Sequence, residues 1–239
     1  MCDIIRQHAH EFGLALADLD AVLSLQPANA QAWLTRASTY QAQGRYDEAR
    51  RACQPLLRLA GRHVALTCLG DIDGLSGQAA TSRQMLTASL ERSGISVRER
   101  LWILTILAEM AARTGDASAA EKHFLDARSL GVKNYYLLGA YADFLLDQGR
   151  PQEVVTPLQH ETRADGLLLR LTLAEHALHL PASKNHTAEL AARFAAGRER
   201  GTRVHVREEA RFTLALLHDS QTALTLAQTN WEIQKEPWD

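Results

Sequence analysis

The 239-residue chain has only six prolines and three cysteines. It has no uninterrupted apolar run near the roughly 18 residues that a membrane-spanning helix needs, so membrane insertion is not expected. Scarce proline beside abundant alanine and leucine favours helix. Cys2, Cys53 and Cys68 are too few and too unevenly spaced for a disulfide framework. Cys53 and Cys68 fall on consecutive expected helices, where one bridge or two small buried thiols both fit. Neither sign of charge is in excess: 26 Lys and Arg face 28 Asp and Glu, and the net charge of −2 gives no reason to expect nucleic acid as partner. A glycine-rich phosphate loop, a Cys-x-x-Cys pair, a His-Glu-x-x-His motif and a Gly-x-Ser-x-Gly elbow are all missing, so no cofactor and no enzymatic activity are expected. The opening MCDIIRQHAHEFG lacks a charged region followed by a hydrophobic core, so no secretory signal is expected within it. The default location is then cytoplasmic, or periplasmic if a signal has been removed.

What is present is a globular composition, 46% hydrophobic and 23% charged, arranged with helical periodicity. The clearest stretch is 30–61. Trp33, Ala37 and Tyr40 recur at helical spacing, a Gly44-Arg45-Tyr46 turn follows, and Ala49 opens a second apolar face. Pro27 ends the helix expected over 3–26, Asn29 is placed to cap the next, and Asp47 lies at the start of its partner. Pro55 should kink that partner, Pro151 suits a first helical position and Pro157 should distort its helix. Gly44, Gly77, Gly115 and Gly149 are separated by 33, 38 and 34 residues, the spacing of a helical repeat rather than of strands or heptads. After about residue 163 the pattern weakens. Helices are still expected up to Pro181, up to Gly201, over about 204–217, and from a cap at Asp219 to 235.

The set Pro27, Trp33, Ala37, Tyr40, Gly44, Tyr46 and Ala49 resembles the tetratricopeptide repeat, with Arg36 where the consensus has leucine and Cys53 where it has an aromatic. The copy at 101–131 keeps Leu107, Ala108, Ala120, Phe124 and Ala127. The resemblance implies an all-α fold: a right-handed α-solenoid of about 12–13 helices in stacked antiparallel pairs, forming one domain over 1–239, clear to 162 and degenerate beyond it. Small residues such as Ala37, Gly70, Ala108 and Ala142 let paired helices approach, and each pair buries one side against the next.

The same resemblance implies a non-catalytic scaffold whose concave groove, lined by the first helix of each pair, binds a protein or peptide. Carried over by position, the groove residues are Gln31, Leu34, Ser38 and Gln41; Val64, Thr67, Asp71 and Leu75; Trp102, Thr105, Glu109 and Arg113; and Tyr136, Gly139, Asp143 and Asp147. Asp71, Glu109 and Asp143 share one position in three consecutive units. A row of carboxylates there favours basic segments, with Trp102 and Tyr136 available for cation–π contact. The alternative is a regulator whose repeats deform on binding a small peptide or metabolite. His176 and His179, with Glu175 or His186 nearby, have the spacing of a metal pair, against which stands a reading as solvent-facing or capping histidines; no metal is expected. At the C-terminal side, either Trp231 and Trp238 pack back to cap the stack, or an exposed solenoid end meets a partner such as a second copy of the chain.

Overall fold

A computed structural model describes residues 11–201 and 205–236. Expectations for Cys2, for the helix before residue 11 and for Trp238 lie outside those residues. The described residues are helical, and none of their helices is long and apolar enough to cross a membrane. The chain falls into two compact units, one of residues 1–131 with 233–239 and one of residues 132–232, so the division comes before the point where the sequence pattern weakens.

The first unit contains α1 (Phe12–Leu25), α2 (Ala30–Ala42), α3 (Tyr46–Cys53), α4 (Leu56–Leu59), α5 (Arg62–Leu75), α6 (Ala79–Leu90), α7 (Val97–Arg113) and α8 (Ala117–Ser129). Its pairs are α2 with α3, α5 with α6 and α7 with α8; α2 touches α5 and α5 touches α7, so the first helices form a row. As expected, Asn29 caps α2 by accepting from Ala32 N at 3.0 Å, and Pro55 interrupts the second helix of the pair, separating α3 from the single turn α4. Ser96 and Glu99 form a reciprocal capping box at α7. Each such cap contributes about 1 kcal/mol. Ala37, Ala49, Ala52 and Ala65 are essentially inaccessible and let the larger Tyr40, Leu56 and Ile72 fill the space between pairs. Gly70 shows why that position is small: a Cβ added there would lie 2.9 Å from Leu86.

Arg36, the departure from the consensus, has a packing role. Its guanidinium lies 5.6 Å from the ring centres of both Trp33 and Tyr40 and pairs with Asp20 of α1 at 2.8 Å. Cys53 and Cys68 form a disulfide that ties α3 to α5, the bridged alternative of the two left open above.

The second unit contains α9 (Tyr135–Asp147), α10 (Gln152–Leu158), α11 (Asp165–Ala177), α12 (Ala182–Glu199), α13 (Val206–Ala215) and α14 (Ser220–Trp231). Here α9, α11 and α13 touch in sequence, each followed by its partner helix. Leu168, Leu169, Leu190, Phe194, Phe212 and Leu216 form its core. Pro157 lies inside α10, and Asp219 caps α14 by accepting from Thr222 N at 3.0 Å. Pro151 precedes the first helical residue rather than being it. Helix α14 ends at Trp231 instead of continuing to 235, and Trp231 remains half exposed, so it does not pack back as a cap.

One turn recurs through both units. Gly44, Gly77, Gly115 and Gly149 have φ between 67° and 93°, and in each case the next residue's N–H bonds the carbonyl five positions earlier: Arg45 to Tyr40, Gln78 to Asp73, Asp116 to Ala111, Arg150 to Leu145. The turn between α11 and α12 makes the same bond, Leu180 to Glu175, around His179 at φ 55°. His218, at φ 58°, occupies the turn between α13 and α14.

Candidate functional site

In the first unit the expected groove residues lie on α2, α5 and α7, and they do not all reach the surface. Gln31 and Ser38 are exposed on α2; Gln41, Asp71, Glu109 and Arg113 are half-buried. Thr67 and Thr105 are buried and donate to the carbonyls of His63 and Leu101, at 2.7 and 2.8 Å. A β-branched hydroxyl satisfied one turn back suits a helix interior, and packing covers both side chains. Leu34 packs on the core containing Tyr40 and Ile72, while Trp102 packs both on that core and on the one containing Ile103 and Leu107. Trp102 is thus half-buried, its ring packed on both cores while part of it stays accessible. Val64 is likewise half-buried against the first of these cores.

The polar residues that remain are coupled. Gln41 Nε2 donates to Asp71 Oδ2 at 3.0 Å, joining α2 to α5. Burial pushes the Asp71 carboxyl above the ordinary carboxylate range, opposed by the Gln41 hydrogen bond and the charge of Arg113. Tyr46, at the start of α3, shares this environment: burial raises its hydroxyl pKa, Arg113 pulls it down, and Glu236 and Asp71 push it up. In the sequence Tyr46 stands out as a turn and repeat residue without a site role, and no spacing rule connects residue 236 to residue 46.

In the second unit Tyr136 and Asp147 are exposed and Gly139 is buried. Asp143 is held by two arginines. Arg170 donates to its Oδ2 from Nε at 2.8 Å and from Nη2 at 2.5 Å, and Arg211 donates to Oδ1 at 2.5 Å. Arg170 is fixed further by the carbonyls of Gly139 and Gly166, at 3.1 and 2.8 Å. These two guanidiniums are one helix pair and two helix pairs further along the chain, so the charge around Asp143 is set by α11 and α13. Burial raises the Asp147 carboxyl pKa, with Arg211 opposing and Asp143 adding to the shift.

The histidines separate. His186 Nδ1 lies 2.7 Å from the buried Glu175 carboxylate, while the His176 ring lies tilted by 55° to that of His218 with centroids 6.2 Å apart. Among the described residues no group of three His, Cys, Asp or Glu side chains is arranged to hold a metal ion.

Comparison with known proteins adds a family match over the first part of the chain and a fold. A family model described as Tetratricopeptide repeat matches residues 8–65. No curated protein matches the sequence. Among solved structures, a chain from the crystal structure of the APC/C hetero-tetramer Cut9-Hcn1 superposes with a TM-score of 0.54 at 13% identity, covering 94% of this chain and 47% of that one. The present chain thus spans about half the length of that relative, and at this identity the likeness concerns the fold.

Proposed function

Because residues 8–65 match the tetratricopeptide repeat model, we propose that the chain is a protein-binding scaffold whose binding face is formed by α2, α5 and α7. The observation that carries this reading is the division of labour along α2. Ala32, Ala37 and Tyr40 are consumed by packing, whereas Gln31 and Ser38 stay exposed beside the Gln41–Asp71 pair. A face that is polar, ordered by neighbouring helices and not required for the core is suited to recognition of a polypeptide segment. We assign it no catalytic role.

Its charge is mixed. A preference for basic segments rests on Asp71 and Glu109, with Arg113 on the same row opposing them. Asp143 contributes little to such a preference, because a ligand ammonium must displace two guanidiniums already bound to it. The test is selection from a displayed peptide library, followed by titration of the selected peptide. Ser38→Arg and Gln31→Arg place bulk and charge on exposed positions and should weaken binding at least tenfold, while Thr87→Arg on α6 should leave it unchanged. Equal binding by all three variants contradicts the assignment. Asp71→Asn with Glu109→Gln then reads out the charge preference separately.

A further inference from the structure

After α14 ends at Trp231 the chain does not continue as helix, and residues 233–236 belong with the first unit. Lys235 N donates to the carbonyl of Ala42 at 2.7 Å. Ala42 is the last residue of α2, and the final carbonyls of a helix have no intrahelical donor. The Gly44 turn serves Tyr40 and Gln41, through the N–H groups of Arg45 and Gly44, and Lys235 serves Ala42. The approach is close at Gly44, where an added Cβ would lie 3.3 Å from Lys235 Cβ, tighter than most side-chain contacts. At Gly77 and Gly115, which make the same turn in the same unit, nothing lies within 4 Å of an added Cβ. Among the described residues, only the first of these three turns has a backbone seated on it. Next in the chain, half-buried Glu236 acts by charge on Tyr46, as Arg113 does with opposite sign.

The fit is incomplete. Gln234 is 8% exposed, its Nε2 donates to the Glu236 carboxylate, and its Oε1 has no donor among the described residues. A buried carbonyl oxygen without a donor weakens this arrangement relative to a segment that places an apolar side chain there.

We propose that the turn closing α2, with Tyr46 and Arg113 beside it, is a docking site for extended peptide backbone that residues 233–236 fill in cis, and that partner segments of the same chemistry compete for it. That chemistry is a backbone N–H directed at the Ala42 carbonyl, followed by a carboxylate one residue later. The inference rests on the proposed peptide-binding reading and shares Arg113 with it, but concerns the C-terminal end of α2 rather than its exposed positions Gln31 and Ser38. An incoming segment of this kind displaces 233–236, so the site is self-occupied until a better-fitting segment arrives.

The experiment uses the full chain and a fluorescein-labelled octapeptide copying residues 230–237, titrated by anisotropy. Lys235→Pro removes the N–H that bonds Ala42. Glu236→Lys reverses the charge that acts on Tyr46 in opposition to Arg113 and tests the site independently if the proline variant folds poorly. Both should bind the labelled peptide at least tenfold more tightly than wild type, because the cis competitor is weakened. An unlabelled peptide methylated at the nitrogen of the Lys235 equivalent should fail to compete. Equal affinity of the three proteins, absence of binding to the variants, or undiminished competition by the methylated peptide overturns the proposal. Those results leave the Ser38→Arg test of the α2 face untouched, and failure of that test leaves this one readable.

Discussion

Asp143 and Arg170 form a two-point ion pair between successive first helices, with Arg170 Nε and Nη2 at 2.8 and 2.5 Å from a single carboxylate oxygen. Arg170 has a side chain only 11% exposed, and Asp143 is its sole carboxylate partner among the described residues. With Arg211 on the other oxygen, the carboxylate separates two like charges. Asp143→Ala should therefore destabilise the protein by about 2–3 kcal/mol, below the full cost of a broken buried pair because Asp143 is partly exposed. Asp143→Asn should cost less, since an amide oxygen still accepts. Denaturant midpoints of the three proteins check this, and a loss under about 0.5 kcal/mol for the alanine variant contradicts it.

The turn glycines made most of the fold legible. Gly44, Gly77, Gly115 and Gly149 mark a backbone conformation that side chains avoid, so their spacing exposes the repeat directly. The degenerate look of the chain after residue 163 has an equally local cause: His179 and His218 stand in the left-handed conformation where earlier turns use glycine, and a histidine there carries no recognisable signal. The candidate site was less legible. Position within a repeat predicts which helix face a residue lies on, but Thr67, Thr105 and Trp102 show that it does not predict whether the neighbouring pair covers that face. Nor could spacing show that Asp143 meets Arg211 from two helix pairs further along, or that residue 235 meets residue 42.

The disulfide gives a second prediction. Cys53 and Cys68 are separated by 15 residues, a closed loop whose unfolded-state restriction is worth about 3 kcal/mol. Both sulfurs are buried in the core containing Leu56 and Ile72, so the reduced thiols stay well packed and the loss should come mainly from the chain entropy. Reductant, or Cys53→Ser with Cys68→Ser, should lower the stability measured by denaturant titration by at least this amount, the serines costing more through buried hydroxyls. Identical midpoints with and without reductant contradict the bridge.

Asp71 supplies a pH dependence. An acid whose folded pKa lies above its unfolded value takes up protons on folding, so its contribution to stability falls as pH rises from about 4, the unfolded value, through the raised folded one. Asp71→Asn keeps an oxygen for Gln41 Nε2 and removes the titration. Relative to wild type, the variant should melt higher at pH 7, and the gap should narrow as pH is lowered towards 4. A variant that melts lower at pH 7, with a gap independent of pH, contradicts the assignment.

The central claim is that the row of α2, α5 and α7 binds a polypeptide segment, and the most direct measurement is site-specific photo-crosslinking with the library-selected peptide. A photoreactive side chain is placed at Gln31 or Ser38 on α2, and in control proteins at Arg51 on α3 or Thr87 on α6, all exposed positions. The peptide should be captured from Gln31 and Ser38 and not from Arg51 or Thr87. Capture from the α3 and α6 positions, with none from α2, would contradict it.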